Sequence, residues 1–105
     1  ADIICHPSNL VLPNCPDSMP VRCLENRVFA ITCNRIGSEA RGGKDRLTYI
    51  GHSEIVAPNG VIRYRAPRDR EDLAVVEIDP AEARNKRLTP YNDLLGDRRA
   101  SLYHR

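Results

Sequence analysis

Aromatic residues are scarce in this 105-residue chain, which has no tryptophan, one phenylalanine and four tyrosines. That removes most of the stacking platforms on which single-stranded nucleic acids are read. An excess of one charge is also missing. The 16 basic and 14 acidic residues leave a net charge of +2, too even for a surface devoted to a polyanion. No apolar run approaches the ~18 residues of a membrane span, and no basic stretch followed by an apolar core opens the sequence. The four cysteines, at 5, 15, 23 and 33, include no C-x-x-C pair and match no common zinc spacing. They read as free thiols in a reducing, cytoplasmic setting, with neither metal nor cofactor. Internal repeats and low-complexity segments are absent.

What remains is enough for a packed structure. Leu, Ile, Val and Phe make up about a quarter of the chain, above the level at which disorder is the default. Residues 2–6 (DIICH) read as an interior strand that begins without lead-in and ends at Pro7-Ser8-Asn9. Asp17 or Ser18 is expected to cap a helix with Pro20 in its first turn, running to about Arg27. Met19, Cys23, Leu24 and Val28 share one face of it. Val28 to Cys33 reads as a second interior strand, so strand, helix and strand make a βαβ unit. Residues 38–48 read as a surface loop. Ser53–Ala57 and Val61–Arg65 are expected to form a hairpin around Pro58-Asn59-Gly60. Leu73–Ile78 reads as a further strand, Asp79-Pro80 as the start of a helix to about Arg87, and Asp93–Leu95 as a possible helical turn. The mixed run Arg63, Arg65, Arg68, Asp69, Arg70, Glu71 reads as a solvated hairpin edge and loop. Cys5 and His6 are neighbours on a strand, point to opposite faces and do not suit a nucleophile–base pair. The fold class is α/β, a βαβ unit followed by an antiparallel meander. The strands look apolar on both faces, and two short helices are too few to cover them. Two sheets packed face to face with helices outside would resolve this.

Several segments taken in order resemble one family. They are ADIICHPSN at 1–9; Arg22-x-x-Glu25-Asn26-x-x-Phe29; Asn34-Arg35-Ile36-Gly37; Gly51-x-Ser53-x-Ile55-x-x-Pro58-x-Gly60; Glu77-Ile78-Asp79; Asn85-Lys86-Arg87; Asn92-Asp93; and Asp97-Arg98-Arg99 with Tyr103. This pattern is similar to the C-terminal part of a nitrilase-superfamily (carbon–nitrogen hydrolase) protein, nearest to the aliphatic amidase or nitrilase-like branch. The resemblance implies a four-layer αββα sandwich. It also implies cleavage of an amide or nitrile through a Cys thioester, with a Glu base and a Lys that stabilises the oxyanion. In that family all three residues lie N-terminal to the region matched, and no C-[Y/F/W]-D-x-x-F-P-E segment occurs here. No residue of this chain is therefore expected to be catalytic. Family members are more than twice as long, which implies a C-terminal portion of such an enzyme, inactive alone.

By the same resemblance, Pro7, Ser8 and Asn9 are expected to line the substrate pocket. Arg22, Glu25, Asn26, Asn34, Asp97, Arg98 and Arg99 are expected to serve as structural or network residues. The implied partners are a small amide or nitrile and further copies of the chain, which would meet through the helix at about 18–27 and the tail. Neither nucleic acid nor membrane is expected. The competing reading is a non-catalytic interaction or oligomerisation module, favoured if a gene encodes this chain alone. A nucleic-acid module resting on the arginines at 63–70 is the weaker alternative, and salt-dependent binding to RNA or DNA would reveal it.

Overall fold

A computed structural model describes residues 1–103. In chain order it contains β1 (Ile3–Ser8), α1 (Asn14–Asn26), β2 (Phe29–Asn34), β3 (Ser38–Glu39), β4 (Leu47–Thr48), β5 (Glu54–Val56), β6 (Ile62–Arg65), α2 (Ala81–Arg84), β7 (Arg87–Thr89), β8 (Asn92–Asp93) and a 3-10 turn (Ala100–Leu102). Four strands form one sheet in the order β1-β2-β5-β6. β1 and β2 are parallel, joined by α1 as the βαβ pattern requires. β5 runs antiparallel to both β2 and β6. β3 with β4, and β7 with β8, form two small separate ladders.

Side chains alternate across a sheet, and each face here has its own core. On one face Cys23 of α1 packs against Ala30 and Val56, with Met19 beside them. On the other, Phe29, Ala57 and Ala83 of α2 pack with Ile3 and Ile78. The second core sits at one end of its face. Further along that face Cys5, Pro7 and Cys33 are exposed, and Ile31, Ile55 and Tyr64 are half-buried.

Several boundaries differ from the sequence reading. β1 continues through Pro7 and Ser8, with Pro7 opposite Cys33. An edge strand has an outward side on which a proline needs no donor. α1 starts at Asn14, ahead of Asp17 and Ser18, and no side chain caps it. Ser18 instead returns its hydroxyl to the Cys15 carbonyl at 3.0 Å. Pro16 fits the first turn, where no intrahelical donor is needed. The expected surface loop at 38–48 closes with the short β3–β4 ladder. The second helix is one turn long, with Asp79 accepting from the Ala81 N–H at 3.0 Å. Around Asp93, the expected helical turn is instead β8 followed by a turn on the Asp93 carboxylate.

The largest difference is at Leu73–Ile78. The segment is extended, and its exposure alternates with period two, but it joins no ladder among the described residues. Leu73 is 89% exposed and Val75 93%. A strand exists only by pairing, and the only backbone group of this segment seen to meet β6 is the Glu77 carbonyl, which accepts from the Arg63 side chain at 3.4 Å.

α1 ends in a left-handed residue, Arg27 (φ 51°), whose N–H returns to the Cys23 carbonyl. Lys86 then donates to the carbonyls of Asn26 at 3.0 Å and Arg27 at 2.7 Å. A cation there satisfies orphan carbonyls and the negative end of the helix dipole. Lys86→Met is expected to cost about 1–2 kcal/mol, read by urea denaturation. A loss below about 0.3 kcal/mol would mean that Lys86 only decorates the surface.

Candidate functional site

The parallel strands β1 and β2 end side by side, and ligands of α/β sheets gather beyond such carboxyl ends. The segment leaving β1 carries Ser8, Asn9 and Leu10. The segment leaving β2 carries Asn34, Arg35 and Ile36. Asn34 ties the two together. Its Oδ1 accepts from the Leu10 N–H at 2.7 Å. Its Nδ2 donates to the carbonyls of Leu10 at 3.3 Å and Gly51 at 2.8 Å. The backbone N–H of Asn34 donates to Ser53 Oγ at 2.8 Å.

A cavity of about 490 Å³ lies at this end of the sheet. Cys33, Asn34, Arg35 and Ser53 form one wall, and Arg70, Glu71 and Asp72 another. Arg35 is fixed in orientation: its guanidinium lies 4.2 Å from the centre of the Tyr49 ring and meets Glu39 at 3.4 Å. The Tyr49 hydroxyl donates to Glu39 at 2.7 Å. That bond, with Arg35 adding to it, holds the Glu39 carboxyl below its usual range, and Glu39 in turn raises the Tyr49 phenol.

The sequence-predicted residues are distributed as follows. Pro7, Ser8 and Asn9 sit at the carboxyl end of β1, next to but outside the cavity lining. Ser8 donates its hydroxyl to the His6 carbonyl at 3.1 Å. Arg22 and Glu25 form an exposed ion pair at 2.6 Å on α1, and Asn26 donates to the Arg22 carbonyl at 3.0 Å. Asp97 accepts from the Asp93 N–H at 2.8 Å, and Arg98 donates to the Leu95 carbonyl at 3.3 Å. With Arg99 they stay exposed in the tail, away from the strand ends. His6 shares a 3.2 Å hydrogen bond with Thr32. All four thiols are free.

One cluster was not foreseen. His6, Thr32, Glu54 and Arg65 are successive cross-strand partners on β1, β2, β5 and β6. They form a polar row on the face beneath α1. Glu54 is buried, with 1% exposure, and its Oε1 has no partner. Its Oε2 meets Arg65 at 2.8–2.9 Å. Burial pushes the Glu54 carboxyl upward, and Arg65 opposes the shift. Burial, with Glu54 adding to it, raises the Cys15 thiol and pushes Cys23 up to about 11. Arg65 was read as part of a solvated edge and instead turns inward. The available signal was Glu54 itself, an acid in the middle of the apolar run Ser53–Ala57.

The profile of the carbon-nitrogen hydrolase family matches residues 1–88. The chain belongs to that family. It is 44% identical over all 105 residues to a nitrilase of Pyrococcus abyssi, of which it spans 38%. It is 38% identical over 81 residues to an (R)-stereoselective amidase of a Pseudomonas species, which covers 77% of this chain and 27% of the amidase. Among solved structures, a carbon-nitrogen hydrolase of Helicobacter pylori G27 superposes with a TM-score of 0.77 at 23% identity, covering 98% of this chain and 40% of its own. The NitN amidase of Nesterenkonia sp. AN1 superposes with a TM-score of 0.67 at 25% identity, covering 97% and 34%. The fold is therefore that of the nitrilase-superfamily αββα sandwich. The chain spans between about a quarter and two-fifths of the length of these relatives. Among the described residues no helix is long and apolar enough to cross a membrane, and no group of three or more His, Cys, Asp or Glu could hold a metal ion.

Proposed function

We propose that this chain is the C-terminal portion of a cytoplasmic hydrolase that cleaves the C–N bond of a small amide or nitrile. The observation that carries this reading is the open sheet. α1 covers one face, while the other leaves Cys5, Pro7 and Cys33 exposed, in a chain that spans only 38% of the Pyrococcus nitrilase. A second sheet from the rest of such a polypeptide would cover that face, and a further strand would fit the free edge of β1. The nucleophilic Cys, Glu base and Lys belong to that other part. The thiolate attacks the amide carbon, the Glu hands a proton to the departing ammonia, and water then hydrolyses the thioester to the acid. The residues here shape the pocket rim with Pro7, Ser8 and Asn9. Copies of the protein meet through α1, where Val21 and Leu24 are exposed, and through the tail.

Two measurements test this. The complete protein is expected to hydrolyse short aliphatic amides, starting with butyramide, which is bound in a solved mutant of the Nesterenkonia amidase. The isolated chain is expected to do nothing. Iodoacetamide should label Cys5 and Cys33 quickly in the isolated chain, and about 100-fold more slowly once a second sheet covers them. Equal labelling in both forms would remove the reading that a second sheet from the same polypeptide covers this face. A complete protein without turnover on amides, nitriles or ureido acids would remove the enzyme. Light scattering that finds a strict monomer would remove the α1 contact.

A further inference from the structure

An α-helical N–H at position i bonds the carbonyl at i−4. Pro20 has no N–H, so within α1 the Pro16 carbonyl loses its helical donor. The structure supplies another. Arg65 Nη2, reaching over from β6, donates to the Pro16 carbonyl at 3.0 Å. The same guanidinium is held from below by Glu54 at 2.8–2.9 Å and lies 3.9 Å from Asp17. Pro16 and Glu54 are both buried. Arg65 thus replaces a missing helix bond with a tether from the first turn of α1 to the far strand of the sheet.

The tether has a counterpart at the other end of the incoming loop. There Leu10 is fixed by Asn34 through both its N–H and its carbonyl, and its carbonyl also accepts from the Ile50 N–H at 3.1 Å. Between these two anchors, residues 11–15 leave the carboxyl end of β1 and enter α1 at Asn14, and Leu12 on them is 64% exposed. We propose that Arg65, seated on Glu54, is a positioning residue that sets the 11–15 segment against the substrate site. This rests on the pocket reading given above for Pro7, Ser8 and Asn9, which lead through Leu10 into that segment. The site occupies the carboxyl ends of β1 and β2, while Arg65 approaches from beneath α1 and touches no reacting group. Its effect passes through the Pro16 carbonyl.

The test uses the complete protein with butyramide as substrate. Arg65→Met is expected to raise KM about tenfold with kcat within about twofold, because a displaced rim weakens substrate placement. Amide exchange at Ser18 and Met19, in the second turn of α1, should quicken about tenfold or more. Removing Arg65 alone strands a buried carboxylate, so the paired variant Glu54→Leu/Arg65→Leu serves as the control for folding. It removes the buried charge and the tether together, and a raised KM in that folded variant supports positioning. An unchanged KM there, or unchanged exchange at Ser18 and Met19, overturns it. Arg65→Lys, which keeps the charge but loses the planar fork, is expected to recover only part of KM. Exchange is read without substrate. A wild type with no turnover therefore counts against the hydrolase reading, while unchanged exchange counts against the anchor.

Discussion

Gly51→Ala is expected to cost about 3 kcal/mol or more, enough to unfold a marginal domain. Gly51 sits at φ +60°, a conformation that an alanine adopts only at a cost. Space is the larger problem. A Cβ there would lie 2.4 Å from the Arg68 carbonyl oxygen and 2.8 Å from that of Pro67. Both contacts are backbone, so no flexible side chain can yield. Gly51 is also bonded on both sides: its N–H donates to the Arg35 carbonyl at 2.9 Å and its carbonyl accepts from Asn34 at 2.8 Å. Shifting it pulls on the residue that fixes Leu10. Urea denaturation reads the loss, and a variant within about 0.5 kcal/mol of wild type would mean that the Pro67–Arg68 backbone moves freely.

Phe29→Ala is expected to destabilise by about 3–5 kcal/mol. Phe29 is the single phenylalanine of the chain and has no exposed surface. It packs with Ala57, Ala83, Ile3 and Ile78, so two of its fixed neighbours are alanines. These cannot extend into the space left behind, and the cavity stays. Its N–H also donates to the Asp2 carbonyl at 2.9 Å, which ties the core to the start of β1. Phe29→Leu should recover most of the loss. Equal losses for the two variants would point to a backbone effect rather than a void.

The local elements were readable from local signals. The apolar runs at 2–6 and 28–33 pair as β1 and β2, and Pro58-Asn59-Gly60 turns the β5–β6 hairpin. The family followed from motif order, with Arg22, Glu25, Asn26 and Phe29 in one frame and Gly51, Ser53, Ile55, Pro58 and Gly60 in another. The Glu54–Arg65 pair escaped the reading because the β5–β6 register shifts by one between Ile55 and Val56, which brings Arg65 rather than Tyr64 opposite Glu54. The reach of Arg65 to the Pro16 carbonyl joins residues far apart in the chain and has no local signal. Leu73–Ile78 escaped for the opposite reason. Its pattern is that of a strand, but a ladder needs two partners, and the second is not among the described residues. The pocket-lining expectation for Pro7, Ser8 and Asn9 rests on resemblance alone; they stand at the carboxyl end of β1, outside the lining of the cavity there.

The unpaired Leu73–Ile78 segment has a practical consequence for handling the chain. Leu-Ala-Val-Val outside any ladder among the described residues is the kind of edge that seeds amyloid-like stacking. Its flanks carry the remedy. Glu71 and Asp72 precede it, and Glu77 and Asp79 close it. If two copies align antiparallel about Val75, Glu71 of each meets Asp79 of the other, acid against acid. These residues act as gatekeepers against self-assembly while leaving the edge open to a strand with basic ends. With Glu71, Asp72, Glu77 and Asp79 replaced by their amides, the isolated chain should turn fibrillar or turbid under conditions where the unaltered chain stays clear.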